Sequence, residues 1–178
     1  MKLKTIDLTL CGMFAAVLAV CSWIQIPAAV PFTLQTFAVF AALGLLGGKR
    51  GTITICVYLL LGAIGVPVFA GFKGGVGALF GATGGYLLGF LLSGLFVWFA
   101  EKRFGDSLPV FIAAMIVGLL LCYAFGTAWF VVVYTRANGA ISFGKALAMC
   151  VLPFLPFDAI KLALAAVIRE ALRRYVPA

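Results

Sequence analysis

The sequence predicts an all-α membrane protein of about six transmembrane helices, with both termini cytoplasmic, and three observations carry that prediction. Of the 178 residues, 65% are hydrophobic and only 10% charged, and mean hydropathy is +1.23, so a soluble domain could not cover its surface with polar groups. A spanning helix needs about 20 apolar residues, which leaves room for about six helices and little else. The cations sit mostly in pairs at the ends of apolar runs, as they do in the short cytoplasmic loops of membrane proteins.

Each span follows from this pattern. The first, Ile6 to Ile26, comes after Lys2 and Lys4 and is too long for a signal peptide. The second runs from about Phe32 to Leu46, and Gly47, Gly48, Lys49, Arg50 and Gly51 make a basic turn before the third, Thr52 to Ile64. Gly65 to Gly81, rich in glycine and holding Pro67 and Lys73, is a long loop. The fourth span covers about Ala82 to Ala100 and ends on Glu101, Lys102 and Arg103; the fifth covers Leu108 to Tyr134. A polar turn, Thr135 to Ser142, precedes a stretch broken by Pro153 and Pro156, so the last full span starts near Phe157 and runs to Tyr175.

With odd spans leaving the cytoplasm, Lys2, Lys4, Lys49, Arg50, Lys102, Arg103, Arg169, Arg173 and Arg174 lie inside, against Lys73, Arg136 and Lys145 outside. This bias puts the glycine-rich loop and the start of the last span at the outer face. Residues 1–178 are read as one domain without an internal repeat.

The net charge of +8 does not form a basic stripe interleaved with exposed aromatics, so nucleic acid is not an expected partner. Histidine is absent and Cys11, Cys21, Cys56, Cys122 and Cys150 lie inside apolar runs without C-x-x-C spacing, which argues against a metal site or redox chemistry. An intramembrane aspartyl protease needs two carboxylates, and Asp158 alone lies well inside a span, so no enzyme is expected.

Asp158 and Lys161 are the sharpest feature, since a charge within a span costs several kcal/mol unless it is paired or faces a polar cavity. Three residues apart, they share one helix face. They read either as a self-neutralising ion pair or as an acceptor and a donor facing a polar ligand. Gln35, with Thr33 and Thr36 at the outer end of the second span, is either interhelical glue or a ligand contact. Gly77, Gly81, Gly85 and Gly89 recur every four residues, and the last two suit close helix packing; upstream, glycines around Lys73 suit a lid. Trp23, Phe32, Phe69, Phe72, Phe80, Trp129 and Tyr134 belong mostly to interfaces and packing, although any that faces a cavity can stack on an apolar ring. On the first span Gly12, Ala15, Ala16 and Ala19 make a small-residue face for another helix, within this chain or in a partner.

Taken together, VPFTLQTF (Val30 to Phe37), VPVFAGFKGGVGALFGATGGYLLGF (Val66 to Phe90) and PFLPFDAIK (Pro153 to Lys161) resemble the BioY family, the biotin-binding S components of energy-coupling-factor transporters. The likeness covers nearly the whole chain. It implies six helices in the cell membrane, an outward-facing biotin pocket capped by the loop before the fourth helix, no cofactor, and docking on a membrane coupling subunit driven by two ATPases. Asp158 and Lys161 would meet the ureido ring, with Gln35, Phe69, Lys73, Gly84, Gly85 and Tyr86 around the pocket, and Ala15 and Ala19 would face the coupling subunit. Biotin offers two N–H donors, a carbonyl, an apolar ring and chain, and a carboxylate, an inventory that Asp, Lys, aromatics and a second cation match.

The sequence departs from the family pattern at Phe157, where a glycine commonly precedes the Asp, and at Ala82, where proline is common. Phe157 is expected to narrow or reshape the site. Leu87 follows Tyr86 where some members have Arg, which leaves Lys73 either as the carboxylate's cation or as a solvated loop lysine. The other readings are an S component for another vitamin and a small secondary transporter or channel.

Overall fold

A computed structural model describes residues 4–28 and 30–176, and Lys2 lies outside them. The elements in chain order are α1 (Thr5–Trp23), a two-residue antiparallel pair β1 (Gln25–Ile26) and β2 (Phe32–Thr33), α2 (Gln35–Ala63), α3 (Val76–Leu79), α4 (Gly84–Phe104), α5 (Leu108–Asn138), α6 (Phe143–Cys150), α7 (Leu155–Leu172) and a 3-10 turn, Arg173–Tyr175. Four helices, α1, α2, α4 and α5, are each long and apolar enough to cross a membrane, and α6 with α7 makes a fifth such unit bent by 47°.

α2 is two helices in one. Gly47 has φ 81° and ψ 165°, a conformation open to glycine and strained for any other residue, and there the chain turns back on itself. Pairs placed symmetrically about the turn prove the reversal: Gln35 Nε2 donates to Tyr58 Oη at 2.9 Å, and a Cβ on Gly51 would lie 2.9 Å from Leu43 Cα. Residues 35–46 and 48–63 therefore run antiparallel as the expected second and third helices. With α1, α4, α5 and the bent α6–α7 unit, they make a six-helix bundle.

The last span starts two residues earlier than Phe157, at Leu155, because Pro156 falls in the first turn of α7, where a missing N–H leaves no helical bond unmade. The Gly65–Gly81 segment contains the short α3, and the segment joining α1 to α2 contains the β1–β2 pair; residue alternation over two positions is too short to announce a strand.

One end of the bundle is closed by ion pairs. Asp7 on α1 meets Arg50 on α2 at 2.8 Å, and Arg169 donates to Asp106 Oδ1 at 2.6 Å while stacking over the Phe111 ring. Arg173 reaches both Asp106 and the Gly44 carbonyl, and Glu101 accepts from the Gly48 N–H at 2.6 Å. Both ends of the described chain thus meet the α2 turn, so they lie at the same end of the bundle.

The small-residue face of α1 is divided. Ala15 and Ala19 are 2% and 5% exposed, packed in the core, whereas Gly12 and Ala16 face outward. The short side chains of Ala15 and Ala19 let another part of this chain lie close, so here this part of the face packs within the chain. Replacing both with Trp is expected to lower the thermal unfolding midpoint in detergent sharply, since overpacking costs about 1–3 kcal/mol per site; a wild-type midpoint would contradict this placement.

Candidate functional site

At the other end of the bundle lies a cavity of about 610 Å³, within the range of small-molecule sites. Its walls come from the start of α2, the glycine-rich loop, the first turns of α4, the middle of α5 and the break between α6 and α7. Most of this lining is apolar or aromatic, including Phe69, Phe90, Leu119 and Phe154.

Asp158 sits in the first turn of α7, where the helix N-terminus favours a carboxylate, and it is 1% exposed. Lys161 follows one turn later, and its Nζ is 2.9 Å from Asp158 Oδ1. The pair is embedded in a wider network. Thr36 donates to Oδ1 at 2.8 Å and Tyr123 donates to Oδ2 at 2.5 Å. Lys161 donates in turn to the Thr33 carbonyl and to Thr36 Oγ1, both at 2.8 Å.

Counting donors shows what remains for a ligand. An ammonium has three N–H groups, and all three of Lys161 are committed to Asp158, Thr33 and Thr36. Asp158 Oδ1 receives two donors and Oδ2 one, so an acceptor position stays open on Oδ2. Asp158 and Lys161 are thus ion-paired with each other, and both line the cavity.

The loop is clasped over the cavity. Phe69 and Lys73 exchange backbone hydrogen bonds around a reversal at Gly71 and Phe72, both with positive φ. Phe72 stacks on Trp23 with ring centroids 5.0 Å apart, Trp23 donates to the Pro67 carbonyl, and Ser22 donates to the Val68 carbonyl at 2.6 Å. At its far end Trp129 holds the Gly81 carbonyl at 3.0 Å. Lys73 lines the cavity from this loop and is otherwise exposed. Among the described residues no group of three or more Cys, Asp or Glu side chains converges as a metal site.

The comparisons with known proteins agree on one family. The BioY family matches residues 1–178. The chain belongs to the BioY family. It is 43% identical to "Biotin transporter BioY" of Thermotoga maritima over 92% of this chain and 93% of that protein. It is 34% identical to "Probable biotin transporter BioY" of Pyrococcus horikoshii, over 96% of this chain and 98% of that one. A crystal structure at 2.1 Å of the S-component for biotin from an ECF-type ABC transporter superposes with a TM-score of 0.82 at 28% identity, covering 94% of this chain and 90% of the other.

Of the residues singled out from the sequence of this BioY member, Gln35, Phe69, Lys73, Tyr86, Asp158 and Lys161 all line the cavity. Gly84 and Gly85 do not, which corrects their placement: a Cβ on Gly84 would strike the Leu79 carbonyl, and one on Gly85 would strike the Trp129 side chain. They are where α4 packs closely, as is Gly89 against Cys122. Phe157 points away from the cavity, 54% exposed and edge-on to Phe32 at 5.7 Å, so it does not narrow the site. Phe154 is the wall residue there, stacked on Phe32 at 4.0 Å.

Sequence reasoning missed Tyr123. Its hydroxyl falls in the middle of an apolar span, and a buried phenol needs a partner, which is the signal that marks it. Because Asp158 has three donors around it, removing its charge strands Lys161. Asp158→Asn is expected to lose about 3 kcal/mol of stability or more, and Asp158→Asn with Lys161→Met to regain part of it. Thermal unfolding in detergent checks this, and equal midpoints for wild type and the single variant would contradict the network.

Proposed function

We propose that this protein is the substrate-binding S component of an energy-coupling-factor transporter, capturing biotin at the outer face of the cell membrane. The observation that carries the reading is a buried Asp–Lys network with one acceptor position left open on Asp158, in the wall of a largely apolar cavity, in a multi-pass BioY-family protein. An apolar ring and chain fit the aromatic walls, and a cyclic urea brings N–H donors for the open position on Asp158. A ligand carbonyl that accepts a hydrogen bond from Lys161 must displace one of its present acceptors, and the Thr33 carbonyl on β2 is the neutral one outside a helix.

The excess of cations at the end that holds both termini orients that end toward the cytoplasm, which leaves the loop and cavity outside. Energy for uptake then comes from a coupling subunit and two ATPases, and this chain contributes capture with no catalytic step. Labelled biotin is expected to bind to liposomes that contain only this protein without sustained flux; steady unaided flux would favour a secondary transporter or channel.

Lys73 is the proposed anchor of the biotin carboxylate. Lys73 and Lys161 are the cations that line the cavity among the described residues, Leu87 offers no charge, and the N–H groups of Lys161 are already committed. An exposed contact of this kind is worth little in high dielectric and is screened by salt. Wild type is expected to prefer biotin over its uncharged carboxamide by roughly fivefold at low salt, less at high salt, with the preference lost in Lys73→Ala. Competition binding measures this, and a full wild-type preference in the variant would remove Lys73 from the site.

A further inference from the structure

We propose that Tyr58 is a positioning and specificity-determining residue: it fixes the Gln35 amide so that the carbonyl oxygen, not the NH2, faces the cavity, and the site therefore demands an N–H donor there. This rests on the biotin reading above. Tyr58 itself does not line the cavity and is 1% exposed; it meets the cavity wall through Gln35 and, edge-on at 5.4 Å, through the Phe69 ring.

The orientation follows from counting protons. Two backbone carbonyls, of Ala19 and Val68, meet two hydroxyls, of Ser22 and Tyr58: Ser22 lies 2.7 Å from the Ala19 oxygen and 2.6 Å from that of Val68, and Tyr58 lies 3.0 Å from Val68. A carbonyl only accepts, so the Val68 oxygen takes the Tyr58 proton whichever neighbour the single Ser22 proton serves. Tyr58 Oη then has only a lone pair for Gln35, whose Nε2 sits 2.9 Å away and donates to it. Were the amide turned over, two acceptors would compete for one phenolic proton in a buried site.

The consequence falls on the cavity side. Gln35 is 4% exposed and lines the cavity, and among the described residues nothing donates to its carbonyl oxygen. That oxygen is the group offered to a ligand. The same relay ends on Val68 of the glycine-rich loop, so the residue that sets the polarity of Gln35 also helps hold the loop over the site.

The test compares biotin with a cyclic carbamate analogue in which ring oxygen replaces one ureido N–H, made in both regioisomers and measured by competition on purified protein. Wild type is expected to disfavour one regioisomer by roughly tenfold or more, since two acceptors would face each other. In Tyr58→Phe the amide is free to turn and offer its NH2 to the ring oxygen, so that margin should fall to about twofold. A merely structural role for Tyr58 would weaken both ligands alike and leave the margin unchanged, and that result in a folded variant would overturn this assignment alone. Wild type that binds neither compound would overturn the biotin reading and this assignment with it. Should Tyr58→Phe fail to fold, Gln35→Met tests the contact on which the assignment depends, and a full margin there overturns it.

Discussion

The constraint on which the binding end depends is a carboxylate buried inside a membrane protein. Asp158 is 1% exposed, and a lone charge at such depth costs several kcal/mol. The surrounding fold is arranged to make it tolerable: the α7 N-terminus beneath it, Lys161 one turn on, Thr36 from α2 and Tyr123 from α5. Four chain segments therefore converge on one side chain, counting the Thr33 carbonyl that holds Lys161. The cavity inherits its polar wall from this convergence, and its remaining walls stay apolar because lipid-soluble helices supply them.

The opposite end solves the same problem with more water at hand. Asp106 gathers Arg169 and Arg173, while Glu101 takes the Gly48 N–H beside the α2 turn. α7 is thereby pinned at both ends, by Asp158 and Lys161 near the cavity and by Arg169 and Arg173 near the termini.

Much of this was legible in the sequence, for stated physical reasons. Hydropathy located the spans, Gly47 to Gly51 located the turn inside α2, and Pro153 with Pro156 located the break before α7. The spacing of Asp158 and Lys161 placed them on one wall, and the family resemblance brought Gln35, Phe69, Lys73 and Tyr86 to the same cavity. What stayed hidden depends on which side of a helix meets which neighbour. Ala15 and Ala19 face inward and Gly12 and Ala16 outward, yet the four look alike in an apolar run with no polar face to orient it. Gly84 and Gly85 adjoin Tyr86 in sequence but pack against Leu79 and Trp129, because neighbours on a helix point in different directions. The Gln35–Tyr58–Val68 relay joins residues that become neighbours only once α2 has folded back at Gly47.

The central claim is that this buried polar network exists to hold biotin, and equilibrium binding of labelled biotin to the purified chain tests it most directly. The account predicts saturable binding at one site per chain, displaced by unlabelled biotin and abolished or severely weakened in a folded Asp158→Asn variant. Absence of saturable binding, or equal binding by wild type and that variant, would contradict it.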